Sequence, residues 1–313
     1  MKISVVIATY NGEKYIFDQL NSINQQVLPV DEVIIVDDRS KDNTVAICQQ
    51  FIDGHKLQNW KIVVNDLNLG YYGNFFKGFR LSSGEIIFLC DQDDIWRADK
   101  TKEMVNIFET HAEVLSLTST FSLFTNDGKI IKEHMKHPYR VSNGLCKISL
   151  SQFIKFHSYL GMTMAIRKDL LQYVSTQNPN NITHDILLNM YAAFNDGLYH
   201  LDKVLTNRRH YSASVSNSFM SVELRDRYNG NPQLQKIDRG KRYTQFDQYN
   251  ITNEFAEKTM TKFHSNFIRR ESYFKNNSIL GWMGNIRNLP YYESLRSYIK
   301  DGIYLMKSAR KSG

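Results

Sequence analysis

Phe88-Leu89-Cys90-Asp91-Gln92-Asp93-Asp94-Ile95-Trp96 is the stretch from which the rest of the chain is interpreted. Residues 86–90 are apolar and predict a buried strand, which stops at three carboxylates within four residues. Three like charges at a strand end repel one another and lose hydration unless a cation neutralises them. Carboxylate oxygens suit Mg²⁺ or Mn²⁺, and Mg²⁺ takes only one or two protein carboxylates beside water and substrate phosphates. The stretch therefore predicts half of a metal site.

A second interpretation of this stretch is a solvated acidic turn. Aspartates in the first turn of a helix starting near Ile95 would be stabilised by the helix dipole. Because short acidic motifs occur often by chance, the choice between the two depends on the rest of the chain.

The composition is that of a globular protein, with 313 residues, 42% hydrophobic and 23% charged. Three cysteines without close spacing predict neither a disulfide framework nor a cysteine-based zinc site, and they fit a reducing cytoplasm. The N-terminal apolar run is too short for a signal peptide, and no run reaches the roughly 18 residues of a membrane-spanning helix. Residues 254–313 hold eleven Lys or Arg against five Asp or Glu, so this segment supplies +6 of the net charge of +7. We expect its partner to be an anionic surface, and no nucleic acid at the main domain.

Apolar runs alternate with helical patterns along the first hundred residues. The strands are predicted at residues 3–8, 32–36, 62–64 and 86–90, and the helices at 14–27, 42–52 and 74–81. Because the strands are continuously apolar, both of their faces are expected to be buried, as in a parallel sheet covered by helices. In such sheets ligands bind beyond the carboxyl ends of the strands.

Polar residues follow all four predicted strands. The candidate donor-binding residues there are Thr9, Tyr10, Asn11, Glu13, Asp37, Asp38, Asn68, Gly70 and Asp91. Turn chemistry explains any one of these ends, but four in succession predict a binding edge. Asp37, Thr9 and Asn11 can hold a base or ribose, and a metal at Asp91 and Asp93 would bind a diphosphate. The predicted ligand is a nucleoside diphosphate. The chain contains neither Gly-x-Gly-x-x-Gly after its first strand nor Gly-x-x-x-x-Gly-Lys-Ser/Thr, so a metal must hold the phosphates.

Four motifs in this order and spacing resemble the successive signatures of glycosyltransferase family 2. They are Ser4-Val5-Val6-Ile7-Ala8-Thr9-Tyr10-Asn11; Val36-Asp37-Asp38 followed by Ser40, Asp42 and Thr44; Asn68-x-Gly70; and Asp91-x-Asp93-Asp94. The resemblance covers roughly the first 215 residues. It implies an α/β GT-A fold with a Rossmann-like, mostly parallel sheet flanked by helices, a nucleotide-sugar donor, Mn²⁺ or Mg²⁺, and inversion at the anomeric carbon.

The second half of this region resembles rhamnosyltransferase-like members of the family. Residues 161–165 predict a strand similar to the one that precedes their acceptor side, which makes Thr163 an acceptor-side candidate together with Trp96 and His184. Asp185 matches the Asp of the His/Glu/Asp-Asp motif, which implies that it is the general base. The alternatives are an N-terminal dipole partner for Asp185, and a buried, hydrogen-bonded histidine for His184.

The segment Leu205-Thr206-Asn207-Arg208-Arg209-His210-Tyr211-Ser212 resembles the Tyr-Arg-x-His loop of the same subgroup, with Asn207 in place of Tyr. The resemblance implies that Arg208 and Arg209 stabilise the leaving diphosphate and that His210 ligates the metal. The alternative is a basic surface turn.

The C-terminal third is predicted to be organised differently. The predicted catalytic domain is 1–215, with a nucleotide-sugar half at 1–98 and an acceptor half at 99–215. Residues 216–253 lack periodicity and predict a linker or mobile lid, and 254–313 predict a basic helical extension. Leu295, Ile299, Ile303 and Met306 form an apolar stripe bordered by Arg296, Lys300 and Lys307. This pattern suits either a helix in the headgroup layer of an anionic membrane or a helix packed on the core.

The predicted function is therefore that of an inverting, metal-dependent glycosyltransferase at the inner face of a bacterial membrane. Its acceptor would be a hydroxyl of a growing, lipid-linked surface polysaccharide. A phosphotransferase with an Asp-x-Asp nucleophile is disfavoured, because that motif normally ends the first strand. A non-catalytic scaffold that binds polyanions or membranes would leave the polar strand ends unexplained.

Overall fold

The computed structural model describes residues 1–125, 128–132, 144–156, 159–174, 182–210, 231–245, 249 and 251–309. The chain divides into two compact units. The first comprises Met1–Ile148, Ser158–Thr176 and Thr183–Tyr211, and the second comprises Ser149–His157, Gln177–Ile182 and Ser212–Gly313. The second unit thus takes two segments from within the predicted catalytic domain, and the predicted domain boundaries stay a prediction.

The described strands of the first unit form one mixed sheet. They are β1 (Ile3–Thr9), β2 (Glu32–Asp37), β3 (Trp60–Val64), β4 (Ile86–Asp91), β5 (Ile95–Trp96), β6 (Ser116–Phe124), β7 (Ile130–Lys132), β8 (Leu145–Lys147), β9 (Met164–Arg167) and β10 (Leu198–Arg209). The order is β3-β2-β1-β4-β9-β6-β10-β5, with β7 on β6 and β8 on β10. The first four strands are parallel, and β6 is parallel to β10. The predicted α/β sheet is confirmed.

Both units contain helices, and those of the first unit connect its strands. In the first unit they are α1 (Ile16–Asn24), α2 (Thr44–His55), α3 (Gly70–Leu81), α4 (Lys100–Thr110) and α6 (His184–Phe194). The second unit contains α5 (Leu150–Lys155), α7 (Pro232–Thr244), α8 (Glu254–Lys275), α9 (Ile279–Gly284) and α10 (Leu295–Ala309). In the described part of the chain, none of these helices combines the length and hydrophobicity needed to cross a bilayer.

The continuous apolar strands are buried on both faces, as their sequence predicted. Val5, Val33 and Phe88, on three neighbouring strands, have no exposed surface. Gly78 of α3 allows close packing on the sheet, since a Cβ there would lie 2.2 Å from a methyl of Val6. The sheet is therefore a rigid support for the loops at its carboxyl edge.

Three local predictions are wrong. The helix that the alternative acidic-turn interpretation placed near Ile95 begins at Lys100, because Ile95 and Trp96 pair with β10 as a short antiparallel strand. Residues 161–163 form a 3₁₀ turn, and the predicted strand begins only at Met164. Within the predicted linker, α7 is helical, since Pro232 stands in its first turn and Asn231 caps two backbone N–H groups. Other parts of that linker, 216–230, 246–248 and 250, lie outside the described residues.

Candidate active site

The carboxyl ends of β2, β1 and β4 lie side by side at one edge of the sheet. Asp37 pairs in register with Thr9, and Asp91 pairs with Ala8. Gln92 joins the acidic loop to the end of β1, since its amide accepts from the Tyr10 backbone N–H at 2.8 Å and donates to the Tyr10 carbonyl at 3.1 Å. The predicted strand-end residues are thus brought together.

The two aspartates after β2 hold loops in place. Asp37 accepts hydrogen bonds from Thr9 Oγ1 at 2.8 Å, Ser40 N at 2.8 Å and Ser40 Oγ at 2.6 Å. Asp38 accepts from the backbone of Leu69 at 2.7 Å and of Gly70 at 2.8 Å. Both aspartates are buried, with exposures of 1% and 2%. Their carboxylates are engaged with protein donors, and the surrounding loops present the polar surface instead.

The neighbouring predicted residues belong to the same network. Asn11 Oδ1 accepts from the Lys41 N–H at 2.8 Å, and Glu13 Oε2 accepts from the Asn43 N–H at 2.9 Å. Asn68 donates to the Asp38 carbonyl at 3.2 Å. Gly70 has φ of +68°, a conformation that favours glycine at the start of α3.

A pocket of about 960 Å³ opens beside this network. It is lined by Tyr10, Arg39, Ser40, Lys41, Val64, Asn65, Asp66 and Asn68. The volume and mixed lining suit a nucleoside. Sequence reasoning selected Tyr10 and Asn68 but missed Arg39, Lys41 and Asp66, although all three stand in the polar strand-end loops.

The acidic loop after β4 carries repelling carboxylates. Burial raises the pKa of Asp91 to about 7, and the charges of Asp93 and Asp185 add to the increase. Burial also raises the pKa of Asp94 well above its ordinary value, and the charges of Asp93 and Asp91 add to this increase, although Asp94 accepts from the Arg209 backbone N–H at 3.0 Å. The loop therefore concentrates negative charge that its protein surroundings do not fully neutralise.

Lys100 is a charged residue near this loop that sequence reasoning missed. Its buried Nζ donates to the Met162 carbonyl at 2.7 Å and to Thr206 Oγ1 at 3.0 Å. The same nitrogen lies 4.1 Å from the centre of the Trp96 ring. Burial lowers the pKa of Lys100 to about 7. A basic residue four positions after the tryptophan could have drawn attention to it.

Asp185 lies in the first turn of α6, and its charge adds to the effect of burial in raising the pKa of both Asp91 and Tyr71. Asp185 Oδ1 accepts from the Ile186 N–H at 2.8 Å. His184 stacks on Phe75 with ring centres 4.0 Å apart, and burial lowers its pKa. Neither ring nitrogen of His184 has a hydrogen-bond partner within the described parts of the chain. The hydrogen-bonded histidine offered as an alternative is therefore not what the structure shows.

The two arginines at the end of β10 have different surroundings. The positive charge of Arg208 acts on Asp91 and partly opposes the rise of its pKa. Arg209 is buried, with its guanidinium donating to the Asp93 carbonyl at 3.0 Å and to Asp18 at 3.1 Å. The same guanidinium packs over the rings of Tyr15 and Phe124. Arg209 thus holds the acidic loop in place from the protein interior.

Two acceptor-side candidates lie in the protein interior. Trp96 is 3% exposed, and its ring centre lies 5.6 Å from that of Phe88. Thr163 is 1% exposed and donates to the Leu160 carbonyl at 2.7 Å. Their side chains support the site and are not presented at its surface.

The predicted three-residue metal set is not assembled. Among the residues that the structure describes, no three His, Cys, Asp or Glu side chains form a group that could hold a metal ion. His210 is exposed, and its backbone N–H donates to the Phe124 carbonyl at 2.8 Å. Asp91 and Asp93 remain as a pair of interacting carboxylates. Two such ligands fit a Mg²⁺ or Mn²⁺ ion whose other positions are taken by water and phosphate.

Comparison with known proteins decides the family. The family model "Glycosyl transferase family 2" matches residues 4–174. The chain belongs to this family. It is 27% identical to an uncharacterised glycosyltransferase of Nostoc, alr2836, over 57% of this chain and 55% of that protein. It is 25% identical to the dTDP-rhamnosyl transferase RfbG of Shigella flexneri, over 96% of this chain and 97% of RfbG.

Solved structures confirm the fold of this glycosyltransferase as GT-A. S. aureus TarS 1-349 in complex with UDP-GlcNAc superposes with a TM-score of 0.62 at 19% identity, covering 100% of this chain and 92% of that one. The mannosyltransferase PcManGT from Pyrobaculum calidifontis, in complex with GDP-Man and Mn²⁺, gives 0.56 at 16% identity, covering 99% and 86%. In sequence, the matched segment spans only 20% of Staphylococcus aureus TarS.

Proposed function

We propose that this glycosyltransferase moves a sugar from a nucleoside diphosphate onto a hydroxyl of a growing bacterial surface polysaccharide, with inversion at the anomeric carbon. The observation that carries the proposal is the shared edge of β2, β1 and β4. The pocket lined by Tyr10 and Asn68 opens there, Gln92 of the acidic loop is hydrogen-bonded to Tyr10, and the charges of Asp93 and Asp185 act on Asp91. The full-length likeness to RfbG supports a deoxythymidine diphosphate sugar as donor, and the likeness to TarS, a poly(ribitol-phosphate) beta-N-acetylglucosaminyltransferase, supports a polymeric surface acceptor.

The residues divide the chemistry between them. The pocket beside Tyr10 and Asn68 holds the nucleoside, and Arg208 faces the diphosphate. Asp91 and Asp93 would hold Mn²⁺ or Mg²⁺, which would neutralise charge on the leaving diphosphate. Asp185 takes the proton of the acceptor hydroxyl while that oxygen bonds to the anomeric carbon and the bond to the diphosphate breaks. The released products are the glycosylated acceptor and the nucleoside diphosphate.

The acceptor is proposed to be lipid-linked, with the protein peripheral on the inner face of the cell membrane. The basic C-terminal segment supports this location, because eleven Lys or Arg stand against five Asp or Glu in residues 254–313. A peripheral enzyme meets a lipid-linked acceptor by diffusion in two dimensions.

The central test is Asp185→Asn. We expect transfer to fall by about 10²–10⁴-fold, because a neutral amide cannot accept the hydroxyl proton. Binding of the nucleotide sugar in the presence of Mn²⁺, measured by calorimetry, should be retained. Transfer is measured with a panel of nucleotide sugars and a membrane extract as acceptor source.

The matched control is Asp169→Asn, which changes an exposed aspartate in the first turn of another helical segment. This variant should transfer sugar at the wild-type rate. Unchanged transfer by Asp185→Asn would remove the base assignment, and an absence of metal-dependent nucleotide-sugar binding by the wild type would remove the proposed donor site.

A further inference from the structure

The apolar stripe of α10 faces solvent. Leu295, Ile299, Ile303 and Met306 are 59%, 47%, 42% and 43% exposed. Their spacing of four, four and three residues places them on one face of the helix. A helix that packs on a protein core normally buries such a stripe. The exposed stripe of α10 therefore does not serve to pack this helix on the core.

The opposite face of α10 is buried through a polar anchor. Asp301 has no exposed surface and accepts hydrogen bonds from Arg270 Nε at 2.9 Å and from Gln233 Nε2 at 2.6 Å. Arg270 is equally buried. Turning α10 to bury its apolar stripe would leave the Arg270 charge without this partner, which is strongly unfavourable in the interior. The buried ion pair therefore fixes the helix with its apolar stripe outward.

The neighbouring helix α9 adds to the exposed apolar surface. Trp282 of α9 donates to the Tyr298 carbonyl at 2.9 Å and stacks on the Tyr298 ring with centres 5.1 Å apart. On the same short helix, Leu280 is 81% exposed and Met283 is 54% exposed. Exposed apolar side chains gathered on two adjoining helices are a feature of interaction sites in soluble proteins.

The charges on α10 indicate what the stripe binds. Arg296, Lys300 and Lys307 are exposed and lie along one border of the stripe. The one acidic residue of α10 is Asp301, which is buried and paired with Arg270. The exposed side of α10 is thus apolar and cationic, a combination that disfavours a second copy of the same basic surface and favours anionic headgroups above acyl chains.

We propose that α10, with α9 beside it, binds the surface of an anionic phospholipid bilayer and lies in its headgroup layer. The apolar stripe enters the boundary of the acyl chains, and the three basic residues contact phosphates. This surface is independent of the transfer chemistry, so it can be tested without knowledge of the sugar or the acceptor.

The experiment is flotation of the full chain with vesicles of phosphatidylcholine alone and of phosphatidylcholine mixed equally with phosphatidylglycerol. The wild type should float only with the anionic vesicles, and added salt should release it. Ile299→Glu/Ile303→Glu should weaken binding by about tenfold or more, since charge enters the apolar face. Lys300→Gln should weaken it by about fivefold.

The matched control is Val27→Glu, the same kind of change at a 62% exposed side chain of the first unit, which should float like the wild type. Circular dichroism and thermal unfolding of each variant check the fold, and Lys300→Gln serves as the mild second variant. The proposal is overturned if the wild type ignores anionic vesicles or if the double variant binds them as the wild type does. A dimer that the double variant dissociates, without vesicle binding, would assign the surface to a second copy instead.

Discussion

Buried charge is handled in opposite ways in the two units of this protein. In the second unit, Arg270 and Asp301 are both fully buried and bonded to each other, and Glu293 approaches the same guanidinium at 3.3 Å. In the first unit, the acidic loop gathers like charges, and burial together with the charges of Asp93 and Asp185 raises the pKa of Asp91 to about 7.

This difference separates a structural from a functional cluster. Opposite charges that satisfy one another hold helices together and need nothing from outside. Like charges gathered at a strand end are unfavourable in the free protein, and the proposed binding of a cation and a substrate would relieve them. The comparison predicts that the charges of the acidic loop can be neutralised with little loss of stability. Breaking the ion pair between Arg270 and Asp301 should cause a large loss of stability.

Asp91→Asn should have the largest effect on activity. Removing one of the two carboxylates proposed to bind the metal should lower transfer by about 10³-fold or more, because several kcal/mol of charge stabilisation would be lost. The metal-free variant should be at least as stable as the wild type, since a repelling charge is gone. Transfer rates and urea unfolding in the presence of a chelator measure the two effects.

The pH dependence of stability provides an independent check. The pKa of Asp91 is about 7 in the folded state and about 4 in an unfolded chain, so the folded state binds more protons between these values. The stability of the metal-free wild type should therefore fall as pH rises through this window, and the fall should be smaller in Asp91→Asn. A variant that is clearly less stable than the wild type would show that the acidic loop is a structural cluster after all.

Arg270→Met should have the largest effect on stability. The change leaves Asp301 buried without its cation, which is expected to reduce the free energy of unfolding by about 3–5 kcal/mol. Lys258→Met is the control on the same helix, because its pairing with Glu254 is exposed and should contribute less than about 1 kcal/mol. Urea unfolding measures the free energy of unfolding of both variants. Equal losses would contradict the expected difference between a buried and an exposed ion pair.

The fold of the first unit could be predicted because its signals are local. Continuous apolar strands, helical spacing and polar strand ends in the sequence predict the order β-α-β-α-β-α-β. The positions of Ile95 and Trp96 could not be predicted in this way, because they pair with β10 more than a hundred residues away. Long-range pairing of this kind overrides local helix signals.

The position of the candidate residues at one edge of the sheet could be predicted, but the direction of their side chains could not. Asp37 and Asp38 were correctly placed at the edge, yet their hydrogen bonds run to protein donors that no spacing rule identifies. Likewise, the adjacent Arg208 and Arg209 have the same residue type and different surroundings, which only the packing of Asp18, Tyr15 and Phe124 decides. The exposed stripe of α10 was visible in the sequence, but its outward orientation depends on the buried partner of Asp301.

Thr9→Val gives the smallest expected effect and tests the hydrogen bonds that hold Asp37. Valine has a similar shape but cannot donate to Asp37, which keeps its two bonds from Ser40. The free energy of unfolding should fall by about 1–2 kcal/mol, since a buried carboxylate loses one donor. Thr110→Val, where an exposed hydroxyl bonds to the Asn106 carbonyl, should change it by less than about 0.5 kcal/mol. Thermal and urea unfolding compare the two variants. If Thr9→Val costs no more than its control, the Thr9 hydroxyl contributes nothing to stability, and Asp37 is held by its two bonds from Ser40.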